Sequence, residues 1–307
     1  MNAGFADELM ILDGGLATEL ERRGHDVSGP LWSAAVLRAA PEAIEQLHYD
    51  YFAAGARCAI TASYQASFEG FAAAGLDADE TTALLRRSVE LALSARDRFR
   101  RDHPDACLPL YVAASIGPFG AISHDGAEYR GDYGLSLAEL IDFHARRFRI
   151  LAAAGADWLA CETIPVLVEA RALVTLLADQ PDTAAWMSFT SADGIHTSHG
   201  EPLSDCARLL DPIPNVIALG VNCVRPEIVG AAIRALRSGT DKAIVVYPNS
   251  GEHWDGQTQD WHGSSDHESL ASLAPQWIKD GARLVGGCCR IGPRDIGELG
   301  TSLLQLK

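Results

Sequence analysis

Gly286-Gly287-Cys288-Cys289-Arg290-Ile291-Gly292-Pro293 is the stretch from which the fold of this chain can be worked out. Two glycines and two adjacent cysteines follow directly on the mostly apolar run 282–285. Adjacent cysteines are poorly placed to bond to each other, because a disulfide needs a dihedral angle and a Cβ separation that one peptide unit strains. Two neighbouring thiolates can instead reach one soft metal ion, and glycines let the backbone turn tightly beside it. A pair of buried thiols packed as small hydrophobes is the alternative.

Seven similar apolar segments precede this run, and helical segments separate them. The apolar segments lack polar alternation, which is typical of strands buried on both faces of a parallel sheet. They are residues 10–12, 57–62, 108–114, 157–161, 184–189, 216–221 and 243–247. Eight strands alternating with eight helices predict an α/β protein, a (β/α)8 TIM barrel whose single domain spans residues 1–307. A doubly wound open sheet is the alternative, but no Gly-x-Gly-x-x-Gly follows the first strand.

Polar residues, glycines and cysteines collect where the predicted strands end. The carboxyl ends of the strands of such a barrel form one rim, and the active site lies there. We therefore expect the rim to carry Asp13, Gly14, Ser63, Tyr64, Gly117, Glu162, Thr163, Asn222, Cys223, Pro248, Asn249, Cys288 and Cys289. Three of these residues are cysteines, from the sixth and eighth strands. Three thiolates with an open fourth position are typical of a catalytic zinc, whereas a structural zinc is closed by four protein ligands.

The other four cysteines do not fit such a site. Cys58 begins its strand, and Cys107 and Cys206 lie before or within other elements. Cys161 is adjacent to Glu162 in a strand, so the two side chains point to opposite faces. If Glu162 faces the mouth of the barrel, Cys161 faces the helices.

The segment 253–267 is rich in Trp, His, Asp and Gly, and we expect a long loop there. Its histidines, His253, His262 and His267, lack metal-ligand spacing on a helix. Long loops without secondary structure in compact domains are often lids, so a mobile lid is the favoured interpretation. Trp254 and Trp261 would stack on a cation or anchor the loop.

Composition narrows the possible partners and location. The chain is 48% hydrophobic and 21% charged, as in a globular protein with a sizeable core, and its net charge is −16. An acidic surface repels nucleic acid and anionic membranes, so we expect neither as a partner, and it attracts small cations. There is no signal-peptide pattern and no apolar run long enough to span a bilayer. Seven cysteines, an odd number, predict reduced thiols and a cytoplasmic location.

The whole chain resembles the zinc-dependent homocysteine S-methyltransferases, and among them the bacterial and plant branch that uses S-methylmethionine. The Asn-Cys and Gly-Gly-Cys-Cys motifs, about 65 residues apart, are the most specific part of this resemblance. The matching segments are Leu12-Asp13-Gly14-Gly15, Ala62-Ser63-Tyr64-Gln65-Ala66, Ser115-Ile116-Gly117-Pro118, Glu128-Tyr129-Arg130-Gly131, Ala160-Cys161-Glu162-Thr163, Val221-Asn222-Cys223, Tyr247-Pro248-Asn249-Ser250-Gly251-Glu252 and Gly286-Gly287-Cys288-Cys289.

The resemblance implies that zinc is bound by Cys223, Cys288 and Cys289 and that the homocysteine thiol takes the open position. It implies that Glu162 holds the substrate amino group and that Asn222, next to a ligand, supports the site. The expected substrate contacts are Asp13, Gly14, Ser63, Tyr64, Glu162 and Thr163. The related betaine-using enzymes carry tyrosine where this chain has Thr163. Water and Asn222 are therefore both candidates for the fourth zinc ligand before substrate binds.

The expected reaction is direct methyl transfer from a sulfonium donor to zinc-bound homocysteine, giving methionine. S-methylmethionine is the favoured donor and S-adenosylmethionine the second choice; betaine as donor or selenocysteine as acceptor is a further alternative. Zinc-assisted hydrolysis is disfavoured, because three anionic sulfurs make zinc a poor Lewis acid. A non-catalytic zinc- or thiol-sensing protein is the remaining alternative. The sequence shows no heptad or exposed apolar seam that would predict an oligomer.

Overall fold

The computed structural model describes residues 8–27, 33–106, 108–123, 125–255, 260–262 and 268–304. Eight strands form one parallel sheet in the spatial order β1-β10-β7-β6-β5-β4-β3-β2, and a two-stranded antiparallel sheet pairs β8 with β9. The strands are β1 Met10–Ile11, β2 Cys58–Ile60, β3 Tyr111–Ile116, β4 Trp158–Ile164, β5 Ala185–Phe189, β6 Val216–Asn222, β7 Ala243–Tyr247, β8 His253–Asp255, β9 Asp260–His262 and β10 Ala282–Val285.

The eight-stranded sheet closes on itself at a seam between β1 and β2. Leu12 and Cys58 form a parallel bridge there. Arg57 N donates to Ile11 O at 2.7 Å, and Asp13 N donates to Cys58 O at 3.0 Å. The prediction of a (β/α)8 TIM barrel is therefore confirmed.

Helices cover the outer face of the barrel. They are α1 Leu16–Arg22, α2 Ser33–Ala39, α3 Pro41–Ala53, α4 Phe68–Ala73, α5 Ala78–Asp102, α6 Leu137–Ala152, α7 Leu167–Ala178, α8 Leu203–Leu210, α9 Val229–Arg237, α10 Leu270–Asp280 and α11 Pro293–Leu304. Short 3-10 turns cover Phe119–Ile122, Ala127–Tyr129 and Pro226–Ile228. Within the described residues, no helix combines the length and apolar character needed to cross a bilayer.

The strands are apolar throughout because each face packs against a different part of the core. One face fills the barrel interior with side chains such as Leu12, Trp186 and Leu284. The other face packs under the helices, where Cys161 lies in the same cluster as Phe148 of α6. Cys161 thus faces the helix layer, as expected from its position beside Glu162.

The segment predicted as a long loop contains secondary structure. β8 and β9 form an antiparallel pair in which His253 lies opposite His262 and Trp254 opposite Trp261. The expectation of a structureless segment is wrong for these residues, because the two strands satisfy each other's backbone hydrogen bonds. His267, and Cys107 elsewhere in the chain, lie outside the described residues.

Candidate functional site

Three cysteine sulfurs meet at the carboxyl-terminal rim of the barrel. Cys223 directly follows β6, and Cys288 and Cys289 lie shortly after β10. Their Sγ atoms all lie within 4.8 Å of one another. In the described part of the chain, this is the one group of three or more His, Cys, Asp or Glu side chains that could share a metal ion. The structure thus brings together the cysteines that the sequence placed on one rim.

Two of the three sulfurs are bonded to each other. Cys223 and Cys288 form a disulfide with Cα atoms 5.5 Å apart, and Cys289 Sγ lies 4.0 Å from Cys288 Sγ. Sulfurs placed to share an ion are also close enough to bond when oxidised, so the structure holds the oxidised pair and the reduced thiols stay a prediction. A metal needs both as thiolates, so the disulfide and a metal complex are alternative states of one cluster.

The reduced cluster fits a soft divalent cation. Three sulfur ligands with room for a fourth suit zinc better than hard cations, which prefer oxygen. Cys289 is buried, and burial raises the pKa of its thiol to about 12. A bound cation would displace that proton, since metal coordination deprotonates a thiol.

The carboxyl end of β7 fixes the backbone of two of the cysteines by hydrogen bonds. Cys223 N donates to Tyr247 O at 3.2 Å, and Cys288 N donates to Pro248 O at 2.8 Å. Cys223 has a φ of 50°, in the left-handed region that is unfavourable for residues other than glycine. Strained backbone of this kind persists where surrounding contacts enforce it, and it is common at functional sites.

Gly286 and Gly287 are required by close packing. A Cβ on Gly286 would lie 2.6 Å from Leu12 Cβ, and one on Gly287 would overlap the side chain of Ile291. The left-handed turn of this stretch is made instead by Arg290, with a φ of 64°. The glycines therefore let the cysteine-bearing segment lie against the first strand and against its own continuation.

A cavity of about 730 Å³, its open mouth included, lies beside the sulfur cluster. The resemblance assigned ten residues to zinc, to substrate or to support of the site, and eight of them line the cavity: Gly14, Tyr64, Glu162, Thr163, Asn222, Cys223, Cys288 and Cys289. The other two, Asp13 and Ser63, lie behind its wall. Asp13 Oδ2 accepts a hydrogen bond from Ile60 N at 2.8 Å, so this carboxyl joins the two seam strands. Ser63 is fully buried, and its hydroxyl donates to Ser115 O at 2.8 Å.

Glu162 is the buried acid expected to hold a substrate amino group. Burial raises its pKa to about 7, although hydrogen bonds from the hydroxyls of Ser115 and Tyr247 favour the charged form. Neither hydroxyl residue was among the predicted contacts. Tyr247 ends β7, and its hydroxyl oxygen accepts a hydrogen bond from Trp186 Nε1 at 3.0 Å and lies 2.7 Å from Ser188 Oγ. Its place at a strand end was the signal that could have identified it.

Asn222 holds the backbone beside Glu162. Its Oδ1 accepts from Thr163 N at 2.7 Å and from Ser188 Oγ at 2.8 Å, and its Nδ2 donates to Thr163 Oγ1 at 2.8 Å. Thr163 has a φ of 62°, and the register of β4 against β5 shifts between Cys161 and Ile164. Asn222 is fully buried and both polar atoms of its amide are engaged, which disfavours it as a fourth zinc ligand.

Glu128 and Tyr129 also line the cavity, from the loop after β3. Both lie in one of the segments that carry the family resemblance, which implied no role for either residue. They are not at a strand end, and the loop must fold back over the rim before they reach the site. Burial raises the pKa of Glu128 to about 7.

Residues 10–303 match the family model described as homocysteine S-methyltransferase. The chain belongs to this family. Among its relatives, the homocysteine S-methyltransferase YbgG of Bacillus subtilis is 50% identical over 305 residues, covering 97% of this chain and 96% of the relative. The homocysteine S-methyltransferase of Escherichia coli is 50% identical over 293 residues, covering 95% and 94%.

A solved member of the family has the same fold over nearly its full length. The metallated form of the homocysteine methyltransferase MmuM from Escherichia coli superposes with a TM-score of 0.87 and 47% identity, covering 96% of each chain. Its oxidized form superposes with a TM-score of 0.86 and 47% identity, covering 95% of each.

Proposed function

We propose that this protein transfers a methyl group from a sulfonium donor to the thiol of homocysteine, forming methionine, with zinc as its metal. The observation that carries the proposal is the meeting of three cysteine sulfurs, within 4.8 Å of one another, at a cavity that also contains the buried carboxyl of Glu162. Family membership and two bacterial relatives named homocysteine S-methyltransferase support the same reaction.

In this proposal Cys223, Cys288 and Cys289 hold the zinc. A zinc ion held there would keep the acceptor sulfur as a thiolate, the form that attacks carbon. Zinc-assisted hydrolysis remains the weaker alternative, since three anionic ligands reduce the charge with which the ion could activate water.

Glu162 binds the amino group of homocysteine in its charged form. Ser115 and Tyr247 direct hydroxyl hydrogens at this carboxyl and favour the ionised state, while burial opposes it. A bound ammonium group would supply the missing opposite charge. Gly14, Tyr64 and Thr163 form further parts of the wall against which the amino acid lies. Asn222 acts through Thr163, and Asp13 and Ser63 support the strand ends from behind.

The transfer balances without a redox partner. The acceptor sulfur forms a bond to the donor's methyl carbon, the donor's S–CH3 electron pair returns to its own sulfur, and the thiol proton is released. The donor arrives positively charged and leaves neutral, so no acid is needed to activate the leaving group. The protein contributes alignment of the two sulfurs about the methyl carbon, which alone can supply a large part of a rate enhancement.

S-methylmethionine is the donor we propose, ahead of S-adenosylmethionine. A cytoplasmic location belongs to the same proposal, since a site of three thiolates needs a reducing compartment. We further propose that residues 1–307 form one domain, with no nucleic acid or membrane partner.

The proposal is tested on protein that has been reduced and then loaded with zinc. Methionine formation from homocysteine is measured with S-methylmethionine, S-adenosylmethionine and betaine in turn, with and without a chelator. We expect turnover with S-methylmethionine and its loss on chelation. Zinc binding without turnover on any donor would instead support a sensing role.

Cys288→Ser removes one proposed ligand. We expect zinc content to fall and turnover to drop by about 100-fold or more, since even changes outside the ligand shell of a metal site cost 10–100-fold. Cys206→Ser is the matched control, because Cys206 is a buried free thiol in α8 and does not line the cavity. Full zinc content and full turnover in Cys288→Ser would refute the ligand assignment.

A further inference from the structure

Glu128 is a buried carboxyl at the cavity without a positively charged partner in contact. Its residue is 8% exposed, and it lines the same cavity as Glu162 and the three cysteines. No described residue donates a hydrogen bond to its buried Oε2. The backbone of Glu128 itself donates to this carboxyl, but leaving one oxygen of a buried carboxylate without a partner is unfavourable, so the position calls for an explanation in terms of what binds there.

The nearest arginine in sequence, Arg130, forms no salt bridge with Glu128 and is already engaged elsewhere. Arg130 forms ion pairs with Asp125 at 3.1 Å and with Asp132 at 3.3 Å, and its side chain is half exposed. Its charge acts on Glu128 less than burial does, and burial dominates the raised pKa of Glu128. A cation that enters the cavity can therefore pair with a carboxyl that no residue in the described part of the chain neutralises by a salt bridge.

The surroundings of Glu128 suit an organic cation next to the sulfur cluster. Tyr64 and Tyr129 line the cavity with it. Tyr129 adjoins Glu128 in the chain and lines the same cavity as Cys289, and burial raises the pKa of its hydroxyl. Aromatic faces attract organic cations, including sulfonium and ammonium groups.

The charges of the two substrates call for two carboxyls. Homocysteine is a zwitterion, and its ammonium is assigned above to Glu162. S-methylmethionine carries a sulfonium in addition to its own ammonium and carboxylate, so it brings one more positive charge into the cavity. Glu162 cannot serve the ammonium groups of both substrates at once.

We propose that the Glu128 carboxylate binds the cationic methyl donor and so determines which donors the enzyme accepts. This inference rests on the proposed function and adds a donor-side contact to it. The donor carries two positively charged groups, the sulfonium and the ammonium. The Glu128 carboxylate can pair with either of them.

The test compares Glu128→Gln with wild type in two measurements. One is binding of S-methylmethionine to the zinc-loaded protein by calorimetry, and the other is the KM for each substrate. We expect Kd and KM for S-methylmethionine to rise about 10- to 100-fold, as for the loss of a charge-assisted contact in a buried site. The KM for homocysteine and the zinc content stay unchanged.

Glutamine has the shape of a protonated glutamate, so the substitution separates binding from a structural role. If Glu128 is a neutral buried acid that merely fills space, Glu128→Gln leaves donor binding unchanged, and that result overturns the inference. An equal rise in the KM for both substrates would overturn it too, since it would indicate general damage to the site. Asp142→Asn is the matched control: it removes one negative charge at an exposed position of α6 that does not line the cavity, and donor binding should not change.

A second donor distinguishes the two cationic groups. Trimethylsulfonium carries the sulfonium without an ammonium group. A similar loss with both donors assigns Glu128 to the sulfonium, and a loss confined to S-methylmethionine assigns it to the ammonium. Wild-type protein that binds S-methylmethionine but does not methylate homocysteine would refute the proposed function while leaving the donor contact testable by calorimetry. Wild-type protein that does not bind the donor at all would overturn the donor contact itself.

Discussion

Replacement of Asn222 by alanine should damage both stability and homocysteine binding, because one amide holds a strained piece of β4. The substitution removes the acceptor of Thr163 N at 2.7 Å and the donor to Thr163 Oγ1 at 2.8 Å. It also removes one of two partners of the Ser188 hydroxyl, which keeps Tyr247 at 2.7 Å. Thr163 N is then left buried without its acceptor.

The expected loss of unfolding free energy can be estimated from these contacts. A buried N–H without a partner costs about 1–3 kcal/mol, and the two other hydrogen bonds contribute about 1 kcal/mol each. Thr163 can relax from its φ of 62°, which returns part of the roughly 1–3 kcal/mol of strain at such a position. The net expectation is a loss of about 2–4 kcal/mol.

The same relaxation moves the peptide that follows Glu162 and with it the carboxyl that binds the substrate amino group. The KM for homocysteine should therefore rise about tenfold or more, since a small displacement of a substrate-positioning group has a large effect. Urea unfolding measures the first effect and steady-state kinetics the second. Asn215→Ala is the control: this residue lies just before the other end of β6, and its amide donates to Gln180 O and Pro181 O at 3.2 Å each. A loss of about 1 kcal/mol with an unchanged KM is expected there.

An Asn222→Ala variant whose unfolding free energy lies within about 1 kcal/mol of wild type, the value of a single hydrogen bond, and whose KM for homocysteine is unchanged would contradict this role of the amide. The amide would then be a passive filler, and the conformation of Thr163 would be enforced by the rest of β4.

Two further predictions concern the carboxyl and the glycines of the site. The pKa of Glu162 is raised from 4.5 to about 7, so the folded, substrate-free protein binds its proton more tightly than the unfolded chain does. The contribution of protonated Glu162 to the unfolding free energy is therefore fully present below pH 4.5 and is lost as the pH rises through about 7, by up to about 3 kcal/mol. Urea unfolding of wild type and Glu162→Gln across this range should give unfolding free energies that depend differently on pH. Parallel pH curves for the two proteins would contradict the raised pKa. Gly287→Ala should overlap Ile291, destabilise the fold by about 1–3 kcal/mol and lower zinc affinity. Gly230→Ala, in α9 with its nearest contact at 3.4 Å, should instead stabilise by up to about 1 kcal/mol; equal zinc affinity in both variants would show that the tight packing at Gly287 does not position the cysteines.

The barrel, and the meeting of the cysteines on its rim, could be predicted because both depend on short-range sequence patterns. Buried parallel strands are apolar and short, so their ends could be located within a few residues. Topology then places Cys223 and Cys288 on one rim. Ser63 follows the second strand as predicted, but its hydroxyl donates to Ser115 O inside the wall, and its expected substrate contact stays a prediction.

What could not be predicted depends on register and on long-range folding of loops. The left-handed conformation of Thr163 arises from a register shift between β4 and β5, which the residue identities do not reveal. Glu128 reaches the cavity because its loop folds back across the rim. The hairpin of β8 and β9 had a signal that the loop prediction overlooked, since His253-Trp254-Asp255 is mirrored by Asp260-Trp261-His262.

The seam between β1 and β2 is the most weakly bonded strand pair of the barrel, and it lies beside the cavity. β1 has only two residues, and closure there depends on one bridge and a few hydrogen bonds, including the one from Ile60 N to the Asp13 carboxyl. Sub-global opening follows the least bonded boundary of a fold. Local opening of this barrel should therefore begin at β1, whose following residues include Gly14 of the cavity wall, while β6 and β10, which precede the cysteines, stay paired with β7.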